Sequence, residues 1–308
     1  MINTLCNIFF NILLMIFAPL LMVGVIKKVK AFFARRKGPS VLQVIYDIRR
    51  LFLKGEIISS FVRMNYTSAF ALGSLIAAGL FVPQITGEAV LNNFSMDFLI
   101  FVYLFGLSRF FSAVNALQMA SSFEGMGSSR ELVFSITGEL TLMMCLVSLA
   151  FFGSSCDFAG IFGAFRVPSI DNLSVGVLAC VILFVIMLLE GCRVPIDDPT
   201  THLELTMIHE VMILDNSGVS LAYFIYSGML KIYLFSSIIG SIILSEFAHL
   251  SCFIYGGLFL LLLFLISVII GIIESVQARL RMVHVQQYIL FAAGLAVILL
   301  ISVIFVRI

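Results

Sequence analysis

Charged residues are scarce in this chain: they make up 11% of its 308 residues, whereas hydrophobic residues make up 61%. The apolar residues form runs of about 20, the length that an α-helix needs to cross a bilayer. A soluble core cannot account for so many runs of this length. We predict an all-α, polytopic integral membrane protein that forms one membrane domain over residues 1–308, with eight transmembrane helices. The predicted spans are 4–26, 66–83, 96–118, 131–152, 173–190, 219–245, 251–275 and 286–306.

The chain also lacks the sequence patterns of common catalytic and metal sites. Its six cysteines show no C-x-x-C spacing, so neither an iron–sulfur cluster nor a structural zinc site is indicated. The sequence has no Walker loop, dinucleotide fingerprint or nucleophile–base pairing. We therefore predict no catalytic residue, no bound cofactor and no metal ion in this chain. A disulfide among Cys6, Cys156 and Cys252, which fall toward one side of the membrane, stays open.

Basic residues are distributed unevenly between the two sides of the predicted membrane. Of the 18 lysines and arginines, fourteen fall in the loops after spans one, three, five and seven, whereas only Arg166 and Arg307 fall on the other side. The positive-inside rule places the basic loops in the cytoplasm and both termini outside. Topology and lipid headgroups explain these cations, so nucleic-acid binding is not indicated. The predicted cytoplasmic loops are 27–65, 119–130, 190–218 and 276–285.

A shorter amphipathic helix is predicted inside the first cytoplasmic loop, over residues 41–53. One stripe of this segment is apolar, and the remainder carries most of its charges. The helix is too short and too charged to span a bilayer, so it should lie at the membrane interface. The glycine-containing stretch 125–129, by contrast, predicts a flexible break before the fourth span.

The segment 190–218 is the most informative part of the chain, because acids, histidines and prolines are concentrated there directly after an apolar span. Pro195 and Pro199 lack a backbone N–H and predict a bent turn. Arg193 and Asp197 are expected to hold this turn in shape. Asp197 does so either by pairing with Arg193 or by capping the helix that follows.

That helix is predicted over residues 200–216. His202 and His209 are seven residues apart and share one face, but about 10 Å along the axis separates them, too far for one metal ion. Glu204 and Glu210 are the acids expected beside them. We predict a polar cytoplasmic cavity in which histidine relays protons near neutral pH.

The same predicted helix has apolar residues that indicate a covering partner. They are too hydrophobic for a free cytoplasmic surface, so we expect a peripheral subunit to dock there. These residues are Leu203, Met207, Val211 and Leu214.

Charged residues inside the predicted spans are the second group of candidates, because a charge in a bilayer is costly. Glu139 lies about two turns into the fourth span, and Glu131 lies near its start. Glu139 serves either as a step in a proton path or as a structural acid paired with an arginine. Arg109 and Lys231 should face the bundle, a partner subunit or an acid, and Lys231 either exchanges protons or forms a static ion pair. The predicted proton-path and coupling residues are Glu131, Glu139, Glu190, His202, Glu204, His209, Glu210 and Lys231.

Two motifs of this chain resemble the subunit 1 family of respiratory complex I. One is Glu190-x-x-Arg193-x-Pro195-x-Asp197-x-Pro199, followed by Glu204-Leu205 and Ser217-Gly218, and the other is the spacing from Arg130 to Glu139. The run after Asp197 is more similar to one branch, the membrane subunits of group 4 NiFe hydrogenases. This branch includes formate hydrogenlyase subunit 4 and hydrogenase-4 component C. Thr200 and His202 stand where quinone-reducing members tend to carry acids.

The resemblance implies a non-catalytic membrane anchor in a bacterial or archaeal cytoplasmic (inner) membrane. Its implied partners are hydrogenase-type large and small peripheral subunits and antiporter-like membrane subunits. The NiFe centre and the iron–sulfur clusters would reside in partner subunits, and this chain would couple electron transfer to proton or sodium movement. One alternative is subunit 1 of a quinone-dependent NADH dehydrogenase. The other is a stand-alone ion transporter, which the lack of paired inverted repeats with broken helices disfavours.

Overall fold

A computed structural model describes residues 2–57, 66–84, 89–91, 95–167, 169–197, 207–247 and 251–307. Within these ranges the chain forms eleven α-helices and one 3₁₀ turn, Ser245–Phe247, and no strand. The helices are α1 (Ile2–Phe33), α2 (Gln43–Phe52), α3 (Thr67–Gly79), α4 (Asp97–Gln118), α5 (Ser122–Gly153), α6 (Phe158–Ala164), α7 (Ile170–Glu190), α8 (His209–Met212), α9 (Gly218–Leu244), α10 (Cys252–Val276) and α11 (Met282–Arg307).

Seven of the described helices are long and apolar enough to cross a bilayer: α1, α4, α5, α7, α9, α10 and α11. The remaining predicted span, 66–83, corresponds to α3, a shorter apolar helix of 13 residues. Beyond α3 the chain stays in the core, where buried Gln84 donates to the carbonyl of Gly79 (3.0 Å) and accepts from the hydroxyl of Tyr233 (2.8 Å). The predicted all-α polytopic membrane fold is confirmed.

Helix α9 lies at the centre of the bundle. In its most apolar window 89% of the residues are buried, whereas this share is 44% or less in the other six long helices. It packs against α1, α3, α7 and α10. Because α9 is surrounded by protein, a charged residue on it must find its partner inside the chain.

Helix α2 matches the predicted amphipathic helix. Its buried residues Val44 and Ile48 pack against Leu20 and Val23 of α1 and against Met229 of α9. The arginines on its other side are exposed. This arrangement follows from the apolar stripe, which covers the sides of two spanning helices.

Helix α5 begins at Ser122, so the predicted break at 125–129 is wrong and this stretch is helical. Gly127 is explained by a close approach instead of flexibility. A Cβ atom at this position would lie 3.1 Å from the carbonyl oxygen of Ile208 and 3.1 Å from the side chain of Met212. A glycine therefore lets α5 pack directly on α8 and the residues before it.

The ends of the long helices define two faces of the molecule. The C-terminal ends of α1, α7 and α10 meet the N-terminal end of α11 on one face, which we call the basic face. On the other, opposite face, Arg307 at the end of α11 donates to the carbonyl of Phe152 near the end of α5 (3.2 Å). The predicted loops after spans one, five and seven thus lie together. Their ion-paired residues on the basic face are Lys30, Arg193, Asp197 and Arg279.

Candidate functional site

Four charged side chains from four helices meet inside the bundle, and we call them the intramembrane cluster. They are Arg109 of α4, Glu139 of α5, Glu190 of α7 and Lys231 of α9. One carboxylate oxygen of Glu190 lies 3.4 Å from the Arg109 guanidinium, and the other lies 3.1 Å from Nζ of Lys231. Arg109 also lies 3.1 Å from the Glu139 carboxylate. The charges therefore alternate in the order Lys231, Glu190, Arg109, Glu139.

Three members of the intramembrane cluster are almost completely buried, with exposed fractions of 5% for Arg109, 4% for Glu190 and 5% for Lys231. Arg109 additionally donates to the backbone carbonyl of Ser135 (3.1 Å). Removing one partner from a buried ion pair leaves an uncompensated charge and costs several kcal/mol. The equal number of acids and bases is thus what allows these side chains to be buried.

Glu139 differs from the rest of the cluster, because 39% of its side chain is exposed. Gly106 of α4 makes room for it, since a Cβ atom there would lie 3.2 Å from Oε1 of Glu139. The exposed side chains of Tyr103, Phe110 and Leu140 belong to the same two helices. A carboxylate on a lipid-facing surface is costly. A polar neighbour or a bound proton would stabilise it.

His209 of α8 lies close enough to Lys231 and Glu190 for their charges to act on its imidazole. Burial, together with the positive charge of Lys231, lowers the pKa of its imidazole from 6.5 to about 4. Glu131, which is half-buried on α5, also interacts with Lys231 and Glu190. The structure therefore places two more predicted residues beside the cluster, and His209 is neutral at physiological pH.

The segment around His209 is expected to lose stability as the pH falls from about 6.5 to about 4. Over this window the unfolded imidazole binds a proton that the folded one does not, so stability rises with pH and is complete above 6.5. The slope is at most about 1.4 kcal/mol per pH unit. Hydrogen exchange of the amides of residues 207–216 measures it. His209→Gln should remove this pH dependence and exposed His284→Gln should retain it; the same pH dependence in His209→Gln would assign it to another group.

A second group of ion pairs, the basic-face cluster, lies where the loops meet. The buried carboxylate of Glu274 lies 3.0 Å from Lys30 and 3.2 Å from Arg193. Asp197, also buried, lies 2.9 Å from Arg279. Of the two alternatives predicted for Asp197, the ion pair with Arg193 is therefore wrong, and capping of the helix that follows is the one that the hydrogen bonds support. In the tight turn, the N–H of Asp197 donates to the carbonyl of Arg193 (3.3 Å), and the two side chains have different partners.

Asp197 also organises the second half of the segment 190–218. Its second carboxylate oxygen accepts the backbone N–H groups of Ile208 and His209, both at 3.1 Å, where α8 begins. Of the helix predicted over 200–216, the described part from residue 207 onward is helical only in α8, residues His209–Met212; Met207, Ile208 and the residues after Met212 are not helical. The N–H groups that a longer helix would use internally bond instead to Asp197, eleven and twelve residues earlier.

The N-terminal end of α5 holds the same segment at two points. Nη1 of Arg130 donates to the carbonyl of Met207 (3.1 Å). Glu124, which is fully buried, accepts the N–H of Asp215 (3.0 Å). Glu131 and Glu139 lie further along the same helix, so the segment is bonded to the helix that carries them.

The apolar residues expected to bind a peripheral partner are mostly used within the chain. Met207 and Val211 are buried, with exposed fractions of 3% and 1%, and only Leu214 among the described members is exposed. Leu203 lies outside the described residues. The apolar stripe therefore packs this segment onto the membrane bundle.

A cavity of about 260 Å³ lies between the two clusters. Gly191 and Cys192, which directly follow Glu190 in the chain, line its inner side together with His209. A cavity of this size has room for several water molecules. It extends from the basic-face cluster to His209 and to the two residues that follow Glu190. Its charged lining residues are Lys27, Lys30, Arg193, Asp197, Glu210 and Glu274.

The remaining predicted site residues fall into three groups. Pro195 lies in the turn that precedes Asp197, and Glu210 lines the cavity. His202, Glu204 and Pro199 lie outside the described residues.

Of the described residues, no three of His, Cys, Asp or Glu are close enough together to hold a metal ion. Cys156 is a free thiol.

Sequence reasoning missed Glu124 and Arg279 as functional candidates, and it placed Glu274 at the interface near the end of the seventh span with either a structural or a functional role. For Glu124 a signal exists, since Ser121-x-x-Glu124 has the capping-box spacing that marks a helix start. Ser121 makes no side-chain cap bond, and Glu124 bonds to the distant Asp215 instead. For Arg279 the sequence offers no local signal, because its partner Asp197 lies in another loop.

Comparisons with known proteins agree with this architecture. A family model described as NADH dehydrogenase matches residues 6–306. Formate hydrogenlyase subunit 4 of Escherichia coli (strain K12) is 26% identical over 276 residues, which cover 86% of this chain and 87% of that protein. Hydrogenase-4 component C of the same organism is 29% identical over 146 residues, so the match spans 47% of this chain and 46% of that relative.

A solved structure has the same fold. It is the membrane-bound sulfane sulfur reductase (MBS), described as an archaeal respiratory membrane complex, and one of its chains superposes with a TM-score of 0.80. The sequence identity is 17%, and the superposition covers 96% of this chain and 99% of that chain. At this identity the comparison establishes the fold alone.

Proposed function

Since this chain belongs to the NADH dehydrogenase family, that of complex I subunit 1, we propose that it is a non-catalytic membrane subunit of a NiFe-hydrogenase or formate hydrogenlyase-like complex. In this proposal it docks the peripheral large and small subunits at its basic face. It couples their electron transfer to proton or sodium movement. The NiFe centre and the iron–sulfur clusters reside in those partner subunits, and antiporter-like subunits lie beside it in the membrane.

The observation that carries the proposal is the series of ionisable groups from the basic face into the bundle. Glu274, Arg193, Asp197 and His209 line the cavity, and the imidazole of His209 lies within electrostatic range of Glu190 and Lys231. Arg109 then bridges Glu190 to Glu139. Buried ionisable residues inside a membrane bundle are typical of ion pathways. A change of charge in the docked peripheral subunits would change the electrostatic potential along this series of groups.

The partial exposure of Glu139 supports the proposal that another membrane subunit packs against this side of the bundle. It ends the series at the surface formed by α4 and α5, where 39% of its side chain is uncovered. A neighbouring membrane subunit that presents a polar or basic group to this surface would continue the path. This is the place where we propose that an antiporter-like subunit docks.

The proposed orientation puts the basic face in the cytoplasm and both termini outside, in a bacterial or archaeal inner membrane. The basic residues of the loops favour this side. The bond from Arg307 to Phe152 is consistent with it, since it places the end of α11 beside the end of α5.

Glu139→Gln is expected to leave the complex assembled but to reduce ion transfer per redox turnover about tenfold or more. Glutamine keeps the volume and can still bond to Arg109, but it has no titratable proton. Proton or sodium uptake is measured in vesicles alongside hydrogen production. Asp171→Asn, an exposed acid at the start of α7, is the matched control and should behave as wild type. Normal coupling in Glu139→Gln would reduce Glu139 to a structural acid.

Purification in mild detergent separates the proposal from its alternatives. Co-purification of a nickel- and iron-containing subunit supports it. Flavin and quinone would instead identify subunit 1 of a quinone-dependent NADH dehydrogenase, and a homo-oligomer would identify a stand-alone transporter. The cavity beside the basic-face cluster, at about 260 Å³, is smaller than the roughly 300–1,000 Å³ of usual ligand pockets. Its size therefore does not favour the quinone-dependent alternative.

A further inference from the structure

Helix α1 has a proline, Pro19, inside the part that crosses the membrane. Proline has no backbone N–H, so the carbonyl of Met15, four residues earlier, lacks the partner that it would have in an uninterrupted helix. Sharp bends of helices occur at such positions. In a bilayer a carbonyl without a helical partner must find a donor within the protein, because water is absent there.

A tyrosine of the central helix α9 is this donor. The hydroxyl oxygen of Tyr226 lies 3.0 Å from the carbonyl oxygen of Met15 and 3.1 Å from that of Ile16. The hydroxyl has one hydrogen to donate, which these two acceptors share. Tyr226 therefore replaces the bond that Pro19 removes, and it ties α1 to α9 at the position where the hydrogen bonding of α1 is interrupted.

The part of α1 that follows Pro19 forms one wall of the cavity of about 260 Å³. The lining of this cavity runs from Val23 to Lys30 on α1 and from Phe224 to Met229 on α9. Tyr226 belongs to this same stretch of α9. The direction that α1 takes after Pro19 therefore sets the distance between these two walls.

The end of α10 lies on the same side of the cavity as α1. Gly271 of α10 allows a close approach, since a Cβ atom there would lie 2.8 Å from the side chain of Val29. Helices α9 and α10 meet in the other half of the bundle, where a Cβ atom at Gly240 would lie 3.2 Å from the ring of Phe259. The cavity thus separates α9 from a wall that α1 and the end of α10 form together.

Helix α2 covers the boundary between α1 and α9. Its buried residues Val44 and Ile48 pack against α1 on one side and against Met229 of α9 on the other. The half-buried side chain of Tyr226 packs against the same group. The packing of α2 therefore depends on the spacing between α1 and α9.

We propose that Pro19 and Tyr226 form a hinge and its latch, which set the width of the cavity and the access of water to His209. While the hydroxyl bonds to α1, the two walls stay close together. Without this bond α1 turns at Pro19 away from α9, and the cavity widens. Tyr226 is thus a positioning residue that acts through α1, and it does so whether or not ions pass through the subunit.

The thiol of Cys192 lines the cavity and reports its width in the intact complex. Burial raises the pKa of this thiol, so N-ethylmaleimide should react with it slowly in wild type. Tyr226→Phe keeps the ring but loses the bond to α1, and should raise the reaction rate at Cys192 about tenfold. The exposed thiol of Cys156 should react at an unchanged rate. Tyr223→Phe, which removes a hydroxyl from the same helix and keeps the ring contact with Phe52, is the matched control and should match wild type.

A double-mutant cycle separates the latch from any other role of Tyr226. In Pro19→Ala the backbone N–H of residue 19 can bond to the carbonyl of Met15, so α1 no longer depends on the hydroxyl. Adding Tyr226→Phe to Pro19→Ala should therefore change the rate at Cys192 less than about twofold. An equal effect of Tyr226→Phe in both backgrounds overturns the proposal, and so does no effect of Tyr226→Phe alone.

Hydrogen exchange of α2 keeps the test decisive where a docked subunit shields Cys192. The amides of residues 43–52 should exchange severalfold faster in Tyr226→Phe than in wild type or Tyr223→Phe, because α2 packs on both α1 and α9. Exchange at the wild-type rate in Tyr226→Phe overturns the proposal. Neither readout depends on hydrogen production or ion transfer, so a failure of the proposed function is distinguishable from a failure of the latch.

Discussion

Glu190→Gln is expected to destabilise this subunit by about 3–5 kcal/mol, the largest effect of any single substitution in the intramembrane cluster. The glutamate is 4% exposed and compensates Lys231 and Arg109 at the same time. Glutamine removes the negative charge and leaves Lys231 buried without its acid. Thermal unfolding of the purified complex and the amount of this subunit in membranes measure the loss.

A charge-balanced double variant tests whether the loss is electrostatic. Glu190→Gln combined with Lys231→Met removes one acid and one base, and Arg109 keeps its pair with Glu139. Replacing a buried ion pair with neutral groups is often close to neutral in stability. The double variant should therefore be more stable than Glu190→Gln alone. If it is less stable, Glu190 acts mainly through packing and not through charge.

Glu139→Gln is the matched control for Glu190→Gln, because it makes the same substitution at the other acid of the intramembrane cluster. Because Glu139 is half-exposed, its replacement should cost far less stability than that of Glu190. The two acids look alike in sequence, each within an apolar span. Their different surroundings separate a structural effect on stability from an effect on ion transfer.

Most of the long helices could be predicted, and so could the gathering of the basic loops after spans one, five and seven on one face, because both depend on local composition. Apolar runs located the spans, and the motif from Glu190 to Pro199 located the family, whose match over residues 6–306 confirms the resemblance. The presence of acids and bases inside spans also predicted pairing in general. Arg109 and Lys231 indeed face acids within the bundle.

The specific pairs could not be predicted, since they join residues far apart in sequence. Glu190 and Lys231 are 41 residues apart, and Arg193 and Glu274 are 81 apart. Local reasoning left Asp197 either to pair with Arg193, four residues away, or to cap the next helix, because only nearby partners are visible in a sequence. Likewise, the capping-box spacing at Ser121 indicated the true start of α5, but the glycines of the stretch 125–129 led to the prediction of a flexible break there.

Asp197→Ala is expected to undock the segment 207–216 and to lower the amount of assembled complex severalfold. The substitution removes the partner of Arg279 and leaves the N–H groups of Ile208 and His209 without their acceptor. Losing a buried ion pair and two hydrogen bonds together costs about 3 kcal/mol or more. Hydrogen exchange at Ile208 and His209 should accelerate, whereas Asp215→Ala, an exposed acid of the same segment, should change little.

Asp197→Asn separates the two roles of this carboxylate. The amide oxygen can still accept an N–H, but the charge that holds Arg279 is gone, so an intermediate loss is expected. Arg193→Ala should cost less than Asp197→Ala, because Glu274 retains Lys30 as a partner. If Arg193→Ala proves the more damaging, the segment is anchored mainly through Glu274 and α10. Asp197 is expected to be the stronger anchor because one buried carboxylate joins the turn, the start of α8 and the loop before α11.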